Sequence, residues 1–217
     1  MSHYRRPFIS GACIFFTVNL ARRGSSGLTT HIGLLRQAFA ATRAERPFTI
    51  NACVVLPDHL HCIWTLPEGD SDYPTRWRLI KTRFSRELPK GPLRASHIRR
   101  NERGIWQRRY WEHHIRDDAD YAAHLQYCWF DPVKHGFVDD PTDWPYSSIH
   151  KVVREGMYPA GACHARMHPP TPIPNNPSGA GAHAPDIRTM RAHTHHMPHA
   201  PHATRARTRP TCRSGRA

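Results

Sequence analysis

The chain has 217 residues, with 31 Lys and Arg against 17 Asp and Glu, giving a formal charge of +14 at pH 7. Its mean hydropathy is −0.65, and no apolar run approaches the ~18 residues that a bilayer-spanning helix needs. These figures exclude a membrane-spanning helix and argue against an acidic small-molecule enzyme. A surface this basic calls for an anionic partner, and nucleic acid is the commonest one. The composition is not uniform. Residues 1–154 hold all six Trp, all eight Phe and six of the seven Tyr, whereas residues 155–217 hold no Leu, Val, Phe or Trp but carry 10 of the 20 Pro and 8 of the 18 His. A stretch so poor in large apolar side chains cannot offset its own ordering entropy. We therefore expect one folded domain over 1–154 and a disordered Pro/His/Arg-rich tail over 155–217. The domain has 23 basic and 15 acidic residues, so it is basic without the tail.

In chain order, Ala12–Leu20 is β-rich and bounded by Gly11, and predicts a strand. Thr30–Glu45 sets Ile32, Leu35 and Phe39 at helical spacing and is followed by Pro47. Phe48–Leu56 and His59–Leu66 read as two strands paired around a Pro57-Asp58 turn. Thr75–Leu88 carries Trp77, Ile80, Phe84 and Leu88 on one helical stripe, and residues 89–104 read as loop. Arg109–Ile115 is a fourth strand candidate. Asp117 then caps a helix expected to stop at Asp131, before Pro132. The order β-α-β-β-α-β-α predicts an α+β fold of ferredoxin-like type, with an antiparallel four-stranded sheet and helices on one face. The six Cys form no Cys-x-x-Cys pair. Four of them, Cys13, Cys53, Cys62 and Cys128, lie in apolar runs and read as core thiols.

His59 and His61 lie two apart on a predicted strand, so both imidazoles project from one face, while Leu60 and Cys62 project from the other. Two imidazoles so placed can chelate a divalent ion; the plainer alternative is a chance His-x-His in a His-rich chain. On the last helix Asp120, His124, Tyr127 and Asp131 share one stripe. Asp131 would complete a facial metal site with His59 and His61, and Tyr127 would aim a phenol at whatever the metal holds, with His124 one turn earlier as a proton partner. The alternative is a solvated helix face. Two basic clusters follow. Arg76, Arg78, Lys81, Arg83 and Arg86 ring the apolar stripe of the middle helix, and Arg99, Arg100, Arg103, Arg108 and Arg109 interleave with Trp106, Tyr110 and Trp111. Cations with aromatics suit a groove for single-stranded nucleic acid; the alternative is a solvated face above core rings. The residues singled out for DNA are Arg76, Arg78, Lys81, Arg83, Arg108, Arg109, Trp106 and Tyr110.

An ordered set of short stretches runs over residues 4–148. It comprises Tyr-Arg-Arg at 4–6, Phe-Phe-Thr-Val at 15–18, Val-Val-Leu-Pro-Asp-His-Leu-His at 54–61 and Thr-Arg-Trp-Arg-Leu-Ile-Lys at 75–81. Ile-Trp-Gln-Arg-Arg-Tyr-Trp-Glu-His at 105–113, Ile-Arg-Asp-Asp at 115–118, Asp-Pro-Val-Lys-His-Gly at 131–136 and Asp-Trp-Pro-Tyr-Ser-Ser at 143–148 complete it. In this set the chain resembles the REP-associated tyrosine transposases, which are single-tyrosine HUH endonucleases; the His-hydrophobic-His motif is His59-Leu60-His61. The resemblance implies strand-specific cleavage and joining of single-stranded DNA at hairpin-forming palindromes through a 5′-phosphotyrosine. It implies a divalent metal, Mg²⁺ or Mn²⁺, as cofactor. The implied partner is single-stranded or hairpin DNA, with no membrane partner, a monomer or homodimer, and a cytoplasmic, nucleoid-associated place in a bacterium. The family's catalytic tyrosine opens a Tyr-x-x-x-Asn motif before Pro-Val-Lys-His-Gly, which matches Tyr127. The Asn position is Asp131 here, a departure that offers a stronger oxygen ligand. Two other readings stay open at this point: a non-catalytic hairpin-binding protein that keeps the fold, and a zinc site drawing Cys53 or Cys62 together with His59 and His61.

Overall fold

The computed structural model describes residues 9–156; the expected tail beyond them lies outside the described residues. Four strands, β1 (Cys13–Asn19), β2 (Thr49–Val55), β3 (His59–Thr65) and β4 (Trp111–His114), form one sheet in the order β2-β3-β1-β4. Every neighbouring pair is antiparallel. Helices α1 (Gly27–Thr30) and α2 (Ile32–Glu45) follow β1; α3 (Tyr73–Arg86) and the short α4 (Ala95–Arg99) follow β3. After β4 come α5 (Asp118–Lys134), a 3₁₀ turn at Pro141–Asp143 and α6 (Ile149–Arg154).

Strand alternation sorts the side chains into two cores. Ile14, Phe16 and Val18 of β1 and Leu60, Cys62 and Trp64 of β3 pack with Leu35 and Phe39 of α2 and Trp77, Ile80 and Phe84 of α3. Trp64 stacks on Trp77 at 4.3 Å between ring centroids. Each such fully buried side chain contributes about 1.5–3 kcal/mol. This half is the ferredoxin-like sandwich, with α2 and α3 on one face. The opposite residues, Phe15, Ala52, Val54 and Ile63, pack against Cys128 and Trp129 of α5 and Ile149 of α6. The two helices after β4 thus close the second face, and His59 and His61 point into that layer.

The segment before α6 also caps the open edge of β2. Val55 N–H donates to Tyr146 O at 2.9 Å, Ser148 N–H donates to Cys53 O at 2.7 Å, and Trp144 Nε1–H donates to Val55 O at 2.9 Å. An unpaired edge invites pairing with other chains, and Asp-Trp-Pro-Tyr-Ser-Ser removes it.

Two helix ends differ from expectation. α3 begins at Tyr73 rather than Thr75, because Asp72 accepts the Thr75 N–H at 3.1 Å and Pro74 sits in the first turn. α5 does not stop before Pro132; it runs to Lys134 with Pro132 inside it. A proline lacks the N–H that would bond to the carbonyl four residues back, but one missing bond in the last turn is tolerated. The turn closes by His135 N–H to Asp131 O at 3.0 Å and Phe137 N–H to Pro132 O at 2.9 Å. Gly136, at φ +69°, supplies the left-handed residue that this ending needs.

Candidate active site

β3 presents His59 and His61 to α5, and α5 presents Asp131 to both. Nε2 of His59 lies 3.4 Å, and Nε2 of His61 3.2 Å, from Asp131 Oδ2. The other nitrogen of each ring is held. His59 Nδ1–H donates to Asp58 Oδ1 at 2.6 Å, and His61 Nδ1 lies 2.9 Å from Thr17 Oγ1. A carboxylate only accepts, so Nδ1 of His59 carries a proton toward Asp58, and Nε2 is the nitrogen directed at Asp131. Such outer partners fix the tautomer and aim of a metal-binding imidazole. Asp58 is itself braced by the Gly24 N–H at 2.6 Å and by Arg23 at 3.4 Å. Burial opposes its ionisation, but His59, Gly24 and Arg23 outweigh it and lower its pKa to about 2.

The residues fit a cation. Asp131 is 1% exposed, and among the described residues its two carboxylate oxygens, like Nε2 of His61, are buried with no partner closer or better aligned than the imidazoles at 3.2–3.4 Å. Two donors, each about 2.1 Å from one ion, lie about 3.0–3.4 Å apart, which is the spacing of Asp131 Oδ2 from each of the two Nε2 atoms; the ligand atoms grouped within 4.8 Å of one another are those of His59, Asp131 and His135. Burial disfavours a charged Asp131, yet the His59 and His61 imidazoles outweigh it and hold the carboxyl well below the usual range. Burial lowers the pKa of His61, keeping the ring neutral as a ligand must be. His59 is raised, because Asp131 and Asp58 outweigh its own burial.

Tyr127, one turn before Asp131, has its ring centroid 5.0 Å from that of His61 and 5.8 Å from that of Phe15. The Lys134 ammonium lies 4.8 Å from the tyrosine ring centre. Burial, and then the negative Asp131, push the phenol above its ordinary value of about 10. Cys62 belongs to the core on the α2/α3 side. Among the described residues no cysteine joins the histidines, which removes the zinc reading that used Cys53 or Cys62.

One residue of this cluster was not among those the sequence singled out. His135, at the end of α5, brings Nε2 to 3.6 Å from Asp131 Oδ2 and its ring to 5.3 Å from that of His59. The signal was present as the i, i+4 spacing from Asp131, and a helix ending at Asp131 hides it.

A second His/Asp cluster, built on Asp120, lies three turns earlier on the same helix. Asp120 Oδ2 accepts from His113 Nε2 at 2.8 Å, Arg116 Nε–H at 3.0 Å and Arg116 N–H at 3.1 Å. His124 Nδ1–H donates to Asp120 O at 2.8 Å and lies 3.1 Å from Asp120 Oδ1, and its ring stacks on His113 at 4.5 Å. The stripe of Asp120, His124, Tyr127 and Asp131 is therefore the sheet-facing one, not a solvated face. His124 is engaged in the Asp120 cluster.

Of the basic residues, Arg78, Lys81 and Arg108 line one groove of about 480 Å³ between α3 and the 100–110 segment, together with Trp106 and Tyr110; Arg108 is paired there with Glu102 at 2.7 and 2.9 Å. Lys81 Nζ donates to Gln107 O at 2.9 Å and stands 5.8 and 5.3 Å from the Trp106 and Tyr110 ring centres. Both rings are half-buried, Trp106 against Phe84 at 5.2 Å and Tyr110 against Trp77 at 5.8 Å. Arg76 does not belong to a DNA surface. It is 1% exposed and its guanidinium grips Asp70 at 2.6 and 3.1 Å, with Pro47 O at 2.8 Å and Asp72 O at 3.0 Å. Arg83 is bound to Thr42 at 2.6 Å and to Glu45, both on α2. Arg109 is exposed outside the groove lining.

The groove and the histidine cluster lie on opposite faces of the sheet but at one end of it. Leu20 bridges to Trp106, and Leu20 N–H donates to Asp58 O at 2.8 Å, so a few residues join the groove wall to the His59 turn.

No family model matches the chain. It is 48% identical over 159 residues to the REP-associated tyrosine transposase of Escherichia coli K12, covering 73% of this chain and 89% of that one. It is 47% identical over 161 residues to a putative REP-associated tyrosine transposase of Haemophilus influenzae, covering 73% and 92%. A solved REP-associated tyrosine transposase bound to a REP hairpin superposes with a TM-score of 0.65 at 48% identity, covering 73% of this chain and 89% of its own. With nearly half of its residues shared over almost the whole length of these relatives, and the same antiparallel sandwich, the chain belongs to the REP-associated tyrosine transposases, a family of DNA strand-cleaving enzymes for which a metal is implied.

Proposed function

We propose that this chain cuts and rejoins single-stranded DNA beside a hairpin, with Tyr127 as nucleophile and Mg²⁺ or Mn²⁺ held by His59, His61 and Asp131. The observation that carries this reading is the convergence of two strand-borne Nε2 atoms on a buried carboxylate with no closer partner among the described residues, one helical turn from a tyrosine. A bound divalent ion supplies Lewis-acid polarisation of the scissile phosphate.

The protein's own residues supply the rest. Asp58 and Thr17 hold the Nδ1 edges of the two rings, so that both Nε2 atoms face Asp131. Tyr127 Oη attacks phosphorus; the Oη–P bond forms, the P–O3′ bond breaks, and the 5′ strand stays on Tyr127 as a phosphodiester. The departing 3′ oxygen ends as a hydroxyl, and the phenolic proton passes to solvent or to that oxygen. A 3′-hydroxyl that returns reverses the sequence and joins strands without ATP, because the phosphodiester is kept in the covalent link. The phenol begins protonated, so positive charge near Asp131 and from Lys134 favours its ionisation at the moment of attack. Arg78, Lys81 and Arg108 hold the DNA backbone in the groove, and the flank reaches the histidines round the Leu20–Trp106 end of the sheet.

The relative's REP hairpin is the model for the substrate. The test is incubation of the full chain with a labelled hairpin oligonucleotide carrying single-stranded flanks. A covalent protein–DNA adduct should form with Mn²⁺ and disappear with chelator, in Tyr127→Phe and in His59→Ala. Binding with no adduct under any divalent metal would instead mean a hairpin-binding protein that keeps the fold.

A further inference from the structure

The end of α5 leads from the histidine cluster to an aromatic surface that neither core uses. Gly136, at φ +69°, turns the chain out of the helix, and Phe137 N–H donates to Pro132 O at 2.9 Å, which fixes the Phe137 backbone. The Phe137 side chain is 46% exposed and packs into neither hydrophobic core. A single exposed apolar side chain is ordinary, but Phe137 belongs to a row of rings. Its centroid lies 5.2 Å from that of Trp144 with the planes at 30°, and 6.1 Å from that of His135 with the planes at 33°. Trp144 is a firm support, since its Nε1–H donates to Val55 O at 2.9 Å and its carbonyl lies 2.8 Å from His150 Nε2. At the other end of the row the His135 ring lies 5.3 Å from that of His59. Phe137 thus stands just outside the cluster, with nearly half of its surface open to solvent. Among the described residues the other exposed large apolar side chains, Ile9, Leu93 and Ile98, have no ring to offer.

We propose that Phe137, backed by Trp144, is a stacking platform for an unpaired nucleobase in the DNA flank next to the scissile phosphate. This rests on the reading of His59, His61, Asp131 and Tyr127 as the cutting site. A nucleobase is a flat π-system, and stacking on an aromatic side chain supplies much of the affinity for single strands while tolerating any base. A supported ring suits this role, because Trp144 and the closed helix end have already limited its freedom before DNA arrives. Lys134 and His135, both exposed at the same helix end, offer a cation and a ring nitrogen to the phosphates beside a stacked base. A base held flat on Phe137 is withdrawn from pairing. The strand is thereby kept single where Tyr127 must reach phosphorus. The groove beside α3, on the opposite face of the sheet, then holds the hairpin, and the platform holds its flank.

The test places the fluorescent base 2-aminopurine at each unpaired flank position of a hairpin in turn and adds the full chain in chelator, so that binding is read apart from cutting. At one flank position the fluorescence should be quenched by the wild type and by Phe137→Trp, and should recover in Phe137→Ala. Affinity for the flanked hairpin should fall about 5- to 100-fold in Phe137→Ala. Phe137→Leu keeps apolar area without a π face and should restore little of that loss. Affinity for a hairpin without flanks should not change. Equal quenching and affinity in the wild type and Phe137→Ala would overturn the platform, as would a Phe137→Leu that binds like the wild type. A loss in Phe137→Ala that is the same with and without flanks would also overturn it. So would a wild-type dimer that Phe137→Ala turns into a monomer with the quenching unaltered, since the surface would then meet a second copy of the chain. If the binding changes are all seen but no adduct forms with Mn²⁺, the cutting reading fails and the platform stands. Phe137 is exposed, so its replacement spares both cores, and unaltered thermal unfolding of the variants would verify this.

Discussion

Two clusters on one helix share a composition and differ in how their carboxylates are partnered. Around Asp120 stand His113 and His124; around Asp131 stand His59, His61 and His135. The Asp120 carboxylate has its donors at 2.8–3.1 Å, and among them is the always-charged Arg116. Its charge is neutralised and its lone pairs are used. The Asp131 carboxylate has only imidazoles at 3.2–3.6 Å, no arginine, and no closer partner among the described residues. The imidazoles keep that carboxylate ionised, and on the proposed reading a cation in the gap would pair with it directly. Residue type alone cannot separate a metal site from a structural ion network. The state of the carboxylate's lone pairs can.

The largest expected contrast is catalytic. Asp131→Ala should abolish the metal-dependent adduct, a loss on the order of 10³-fold or more, since Lewis-acid stabilisation supplies several kcal/mol; Asp120→Asn should keep adduct formation. A gel assay of both variants would break the comparison if Asp120→Asn also lost the adduct while remaining folded.

Stability should show the reverse order. Arg76→Ala removes a buried guanidinium and strips the Pro47 and Asp72 carbonyls of their donor, and should cost about 1–3 kcal/mol, read from urea unfolding. Asp120→Asn should destabilise the fold modestly, chiefly by leaving half-buried His113 with a neutral partner. It should also alter the acid limb. Burial opposes ionisation of Asp120, but Arg116 and His113 outweigh it and hold its carboxyl well below the usual range. A depressed carboxyl stabilises the fold above its unfolded value of about 3.9, and that contribution is lost as pH falls below it. The wild type should therefore lose more stability below about pH 4 than Asp120→Asn does, and equal acid curves would remove Asp120 from the structural role.

The smallest effects belong to the groove. Arg78→Ala and Arg108→Ala should each weaken hairpin binding modestly and reduce the slope of log affinity against log salt by about 0.7–0.9. Arg109→Ala, outside the groove lining, should leave that slope unchanged in the same titration.

Much of the fold was legible in the sequence, because strand period and helix stripe write burial directly into spacing. His59, His61 and Tyr127 could be picked out because the His-x-His lay on a clear strand and the tyrosine on a clear stripe. What was not legible depended on pairings that spacing does not encode. Arg76 has the spacing of a surface cation, and only the approach of Asp70 and the Pro47 carbonyl makes it a core residue. Pro132 reads as a stop, and only the Gly136 ending keeps the last turn and delivers His135. The Asp-Trp-Pro-Tyr-Ser-Ser segment was visible only as a motif, and its backbone bonds to the β2 edge appear only once the sheet exists.

The most direct test of the central claim is anomalous diffraction from crystals of the full chain soaked in Mn²⁺. One peak should stand among His59, His61 and Asp131, with none at His113, Asp120 and His124. A peak at the Asp120 cluster, or no peak beside Asp131, would contradict the account.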